Sequence, residues 1–180
     1  MGESGRNDKY VLVVKDVLSG HVWMEPSIYS DALHAASILS RWTRVFTAPN
    51  VSVSDLGSNF KNEILQNLAQ LHRIRHTLTV AYSPWVHGTV EAVMRSILAA
   101  TREMLGELKF APQDWASVLS TVASTLNESS LERFGRRPDG VARSPFEFMT
   151  GIQPKRQILR ILPTISNKGK ATTMEHARTA

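Results

Sequence analysis

The 180 residues contain no cysteine. That excludes disulfides and zinc sites built on thiolates. No run approaches the roughly 18 consecutive apolar residues of a membrane helix, so no membrane partner is expected. No apolar segment stands behind Met1–Arg6, so no secretory leader is expected. No Gly-rich fingerprint follows any predicted strand, which argues against a dinucleotide-binding domain. There are no internal repeats.

What is present suits one domain plus a tail. The chain is 42% hydrophobic and 21% charged. At this length it buries a core without covalent staples. Charge is unevenly spread. Residues 1–150 hold 15 Lys or Arg and 15 Asp or Glu, and so are neutral. Residues 151–180 hold Lys155, Arg156, Arg160, Lys168, Lys170 and Arg178 against Glu175 alone, so the net +5 lies there. Such a tail either contacts a polyanion or is simply solvated.

Periodicity gives the elements. Tyr10–Val14 and His21–Glu25 read as strands joined through the Ser19-Gly20 turn, with Pro26 ending the second. Asp31 to Phe46 has helical spacing, with apolar residues at 32, 33, 36, 39, 42, 45 and 46. Val51–Ser54 alternates as a strand. Ser58 suits an N-cap for a helix over 59–72 whose apolar face holds Phe60, Ile64, Leu65, Leu68 and Leu71. Arg75 to Tyr82 reads as a strand, and Ser83–Gly88 as a loop or frayed helix start. Helices follow over 89–108 and 112–132, then a Gly/Pro/Arg-rich loop over 133–143. A short helix opens at Ser144-Pro145. An apolar run over 158–162 precedes a polar tail. The order predicts an α/β fold with a mixed β-sheet whose front half is antiparallel.

Asp55 stands where a strand ends and a Gly turn begins, a usual place for active-site groups in α/β sheets. Glu91 lies near the start of the long helix. Arg95 and Arg102 follow it by four and eleven residues, within roughly 40° on a helical wheel. A carboxylate for a metal followed by cations for phosphates suits a DNA-processing helix. Between Asp55 and Glu91 stand 35 residues. Spacing alone says little among so many acids.

The surrounding residues say more. Asp55-Leu56-Gly57-Ser58-Asn59-Phe60, then Ser83-Pro84-Trp85-Val86-His87-Gly88-Thr89-Val90-Glu91, resembles the integrase core of retroviruses and gypsy-type LTR retrotransposons. Lys9–Asp16 with Ser19-Gly20 resembles that family's first hairpin. Ser144–Gly151 and Pro154 resemble the segment closing its core, and Asn127 falls where these elements carry an Asn. The resemblance covers about residues 1–163. It implies a ribonuclease H-like fold, mixed sheet flanked by helices. It implies polynucleotidyl transfer with two Mg²⁺ or Mn²⁺ ions held by two Asp and one Glu. Residues 1–154 are then an integrase catalytic core and 155–180 a basic, partly disordered segment. Asp55 and Glu91 are the expected metal ligands and catalytic residues, with His87, Arg95 and Arg102 expected to contact DNA. Partners would be retroelement ends, target DNA and further copies of the chain. The expected location is intracellular, in the nucleus.

The resemblance departs in three places. The family's first catalytic Asp lies upstream of the hairpin segment, and Asp16 occupies a position that is not a ligand. Asp8 and Glu3 are weak substitutes. An N-terminally truncated, catalytically impaired core is therefore expected. His87 replaces an Asn or Gln, and Met94 an Asn. The alternatives are an inactive DNA-binding or assembly module with the same fold, and a general metal-dependent nuclease. Among other groups, His72 and His76 have metal-like spacing but no third partner. Trp23, Trp42 and Trp115 suit packing, while Trp85 suits packing or stacking on DNA. Arg133, Arg136, Arg137 and Arg143 suit phosphate contact or a solvated loop.

Overall fold

The computed structural model describes residues 2–54, 62–78 and 84–154, with backbone alone over 84–90. The expectations for Ser58, Phe60, 79–83, the run at 158–162 and the basic segment 155–180 lie outside the described residues. The chain divides into two compact units. One joins residues 1–12 with 25–94, and the other joins 13–24 with the described residues from Arg95 onward.

Strands β1 (Tyr10–Lys15) and β2 (Val22–Ser27) pair as the expected hairpin. Backbone bonds from Lys9 to Ser27 and from Asp16 to His21 bracket it and set it antiparallel. Pro26 does not end β2, contrary to expectation. Ser27 presents its carbonyl to Lys9, so its neighbour Pro26 faces away from β1. A missing N–H costs the ladder nothing there.

In the first unit, α1 (Ala32–Phe46) begins at the N-cap Asp31, whose carboxylate accepts from the His34 amide. The helix buries Ala32, Ala35, Ala36, Ile38 and Trp42, while Leu33 and Val45 stay exposed. The stripe is thus narrower than the apolar positions suggested. Helix α2 (Glu63–Leu71) packs against it through Leu65, with Leu12, Leu39 and Leu68 around the contact. Its cap is Asn62, whose side chain accepts from the Ile64 amide, so the helix starts later than expected. Ile64 and Leu71 are exposed, and Leu65 and Ala69 form the buried face instead.

Strands β3 (Val51–Ser54) and β4 (Arg75–Leu78) pair in parallel, Val51 opposite Arg75 and Ser54 opposite Leu78. Parallel neighbours need a crossover, and α2 supplies it. Among the described residues the strands thus form two two-stranded sheets, one antiparallel and one parallel.

Helix α3 (Pro84–Glu107) starts earlier than expected. Proline suits the first helical turn, and Gly88 inside a helix costs only about 1 kcal/mol. In the second unit a 3-10 turn over Pro112–Asp114 leads into α4 (Trp115–Glu128), which ends before the expected Glu132. Helix α4 buries Trp115, Val118, Leu119 and Val122. Its buried Thr125 hydroxyl bonds back to the Thr121 carbonyl, which removes the cost of an unpaired polar group. Helix α5 (Pro145–Thr150) packs on α4, capped by Ser144 and closed by Gly151 at φ 72. The 133–143 segment is ordered rather than open. It carries a 3-10 turn over Glu132–Phe134 and a bridge between Arg136 and Ala142.

Candidate metal and nucleic-acid site

Glu91, Arg95 and Arg102 all lie on α3, and all are exposed. Among the described residues of this helix, Ile97, Ala100, Thr101, Met104 and Leu105 are buried. Because α3 starts at Pro84, Glu91 stands about two turns in rather than in the first turn. Among the described residues no ion pair engages its carboxylate. His87 belongs to the helix backbone, not to a loop. Its side chain, that of Trp85 and all of Asp55 lie outside the described residues.

The residue before Asp55 is placed. Ser54 ends β3, and its hydroxyl lies 2.9 Å from His76 Nε2 on β4. Alternation puts Ser52, Ser54, His76 and Leu78 on the half-buried side of the β3–β4 pair. Burial lowers the His76 pKa. His72 instead caps the end of α2. A helical i, i+4 pair of histidines therefore does not exist, and the metal-like spacing is incidental. The alternation Val51-Ser52-Val53-Ser54 was the available signal for the Ser54–His76 contact.

Other carboxylates near the start of the chain are engaged locally. Asp16 Oδ2 accepts from both the amide and the hydroxyl of Ser19 at 2.6 Å, closing the β1–β2 turn. Asp8 accepts from the Ser4 hydroxyl, and Glu3 pairs with Lys9 at 3.5 Å. Among the described residues no group of three or more His, Asp or Glu is placed to hold a metal ion.

The arginines of the 133–143 segment are neither interchangeable nor all free. Arg137 is buried and bonds Glu147 at 3.0 Å and Asp139 at 3.3 Å. Arg136 bonds Glu132 and the Gly140 carbonyl. Asn127 has a structural use. Its Oδ1 accepts from the Val22 amide and its Nδ2 donates to the Val22 carbonyl, both at 2.8 Å. Trp42 and Trp115 are buried, as packing residues should be.

No family model matches the chain. It is 31% identical over 147 residues to the Gag-Pol polyprotein of Baboon endogenous virus (strain M7). The match covers 81% of this chain and 8% of that polyprotein, so the chain spans less than a tenth of this relative. A solved HTLV-2 integrase catalytic core domain in complex with magnesium superposes with a TM-score of 0.62 at 19% identity, covering 81% of this chain and 88% of that one. A chain of the simian T-cell lymphotropic virus intasome solved in complex with PP2A regulatory subunit B56 gamma gives a TM-score of 0.63 at 19% identity. That alignment covers 81% of this chain and 49% of the other. At such identity the structures show the fold, which is ribonuclease H-like α/β. The chain is thus similar in sequence to part of retroviral Gag-Pol polyproteins, and it has the fold of integrase catalytic cores.

Proposed function

We propose that the chain is the catalytic-core segment of a gypsy-type LTR retrotransposon integrase, with residues 1–154 as the core and 155–180 as a basic extension. The observation that carries the reading is the exposed strip of Glu91, Arg95 and Arg102 on α3, in a chain akin to retroviral Pol. A carboxylate without an ion-pair partner among the described residues offers the hard oxygen donor that Mg²⁺ or Mn²⁺ takes. Arg95 and Arg102 suit phosphates, and His87 a hydrogen bond to DNA. Asp55 is the second metal ligand on this reading. The chemistry such ions supply when bound is activation of a water or 3′-hydroxyl and stabilisation of the leaving oxygen.

Asp16, Asp8 and Glu3 are each tied to a neighbour, which supports the reading that none replaces the family's first Asp. The joining activity is therefore impaired, and DNA binding is what the chain retains. Its partners are DNA and further copies of itself, and its place of action is the nucleus. A strand-transfer assay with Mn²⁺ and blunt duplex ends tests this. The expected result is duplex binding with little or no joining. Robust joining that disappears in Glu91→Gln would overturn the impairment but keep the family reading. Absence of any duplex binding would overturn the DNA reading itself.

A further inference from the structure

Within the second unit, the segment from Leu131 to Glu147 carries four arginines and three acids. The acids are taken. Glu132 binds Arg136, Asp139 binds Arg137, and Glu147 binds Arg137 with Arg143 at 4.0 Å. Arg133 is left over, and it is held in place. Its guanidinium carbon sits 4.5 Å from the centre of the Phe134 ring, which is itself stacked on Phe148 at 4.8 Å. The same guanidinium lies against Gly20 in the β1–β2 turn, so close that a β-carbon there would overlap it. Gly20 at φ 70 has no such carbon to add.

Lys15, at the end of β1 beside this turn, is the second cation. It is half-buried, and its burial first, with the charge of Arg133 second, lowers its pKa. Among the described residues neither cation has an ion-pair partner. The closest acid in sequence, Asp16, has its Oδ2 bound to Ser19. Arg133 is exposed, so solvent screens the repulsion in part, and an anion held by both cations would remove what remains.

We propose that Lys15 and Arg133, clamped by Gly20 and Phe134, form a phosphate-binding site, and that its ligand is a backbone phosphate of a nucleic-acid strand. This source rests on the DNA reading above; the phosphate chemistry does not. Guanidinium stacked on a ring is already ordered, so little freedom is lost when it forks onto phosphate oxygens. The site lies at the β1–β2 turn and is separate in sequence from the Glu91 strip.

The experiment uses the full chain, with Lys15→Gln, Arg133→Gln and Phe134→Leu, and Arg136→Gln as a charge-matched control. In ¹H–¹⁵N spectra, inorganic phosphate is expected to shift the Gly20 amide and the Arg133 Nε–H saturably. Lys15→Gln should abolish the response, and Arg136→Gln should keep it. Duplex binding by anisotropy should weaken about eightfold at 0.1 M salt for each of the first two substitutions, with the salt slope reduced by about 0.9. Phe134→Leu should weaken binding with no change in charge. No phosphate response in the parent chain, or one equal in Lys15→Gln and the parent, overturns the site. A phosphate response with duplex binding unchanged in Lys15→Gln and Arg133→Gln overturns the polynucleotide source and assigns a small phosphate ligand. A phosphate response with no duplex binding by the parent keeps the site and overturns the DNA reading.

Discussion

Asn127 satisfies both backbone groups of Val22 with one side-chain amide, and all four atoms are buried or nearly so. Removing the amide leaves a donor and an acceptor unpaired, at about 1–3 kcal/mol for each buried group. Asn127→Ala should therefore lose about 2–5 kcal/mol in urea unfolding. Asn127→Asp keeps an acceptor for the amide but turns a donor into a repelling oxygen, and should also destabilise. His21, one residue earlier, gives a pH dependence. Burial lowers its pKa from 6.5, against an opposing pull from Asp16. Above 6.5 both folded and unfolded chains hold it neutral. As pH falls, the unfolded chain takes up the proton first, so stability is lost through the window below 6.5. His76 acts in the same direction. The urea midpoint should fall between pH 7.5 and 5.5, and His21→Gln should flatten part of that fall.

At the scale of elements, α1 has a good beginning and a poor end. Asp31 caps it at 2.7 Å from the His34 amide, and Asp31→Ala should cost about 1 kcal/mol. Its C-cap Thr47 sits at φ 73, where a β-branched residue is strained. Thr47→Gly should raise the melting temperature, with a gain of about 1 kcal/mol. Both ends show how much was legible in the sequence. The α1 span and the β3 strand followed from periodicity, while the cap at Asp31 was not read from the sequence. The start of α2 at Glu63 did not follow either, because the apolar spacing over 59–72 is the same whichever residue caps the helix, and Asn62 was not singled out. Nor did the order of the arginine segment. Arg137 and Glu147 stand ten residues apart, and nothing local marks them as partners. Each side chain is only about a tenth exposed, 9% and 10%. Breaking the pair with Glu147→Leu should cost about 3–5 kcal/mol, while Arg137→Met with Glu147→Leu together should recover much of it.

At the scale of the molecule, charge is unevenly divided along the chain. Residues 1–154 are neutral overall, and the surplus sits beyond residue 154. Replacing its six Lys and Arg by Gln should reduce the salt slope of duplex binding by no more than about 5. A larger reduction would mean that these residues also organise the core. The candidate site was legible only in part. Motifs around Asp55 and Glu91 carried the resemblance on which the site was expected, whereas the engagement of Asp16 by Ser19 and the contacts of Arg133 with Gly20 and Phe134 are ones that no linear pattern announces. One contact also bears on the edge of the hairpin. Strand β2 turns the amide and carbonyl of Val22 away from β1, toward a side where a further strand would add. Asn127 already occupies that place with a side chain that cannot propagate a ladder. Any strand offered to β2 at Val22 would first have to displace that amide, and would leave it without its partners.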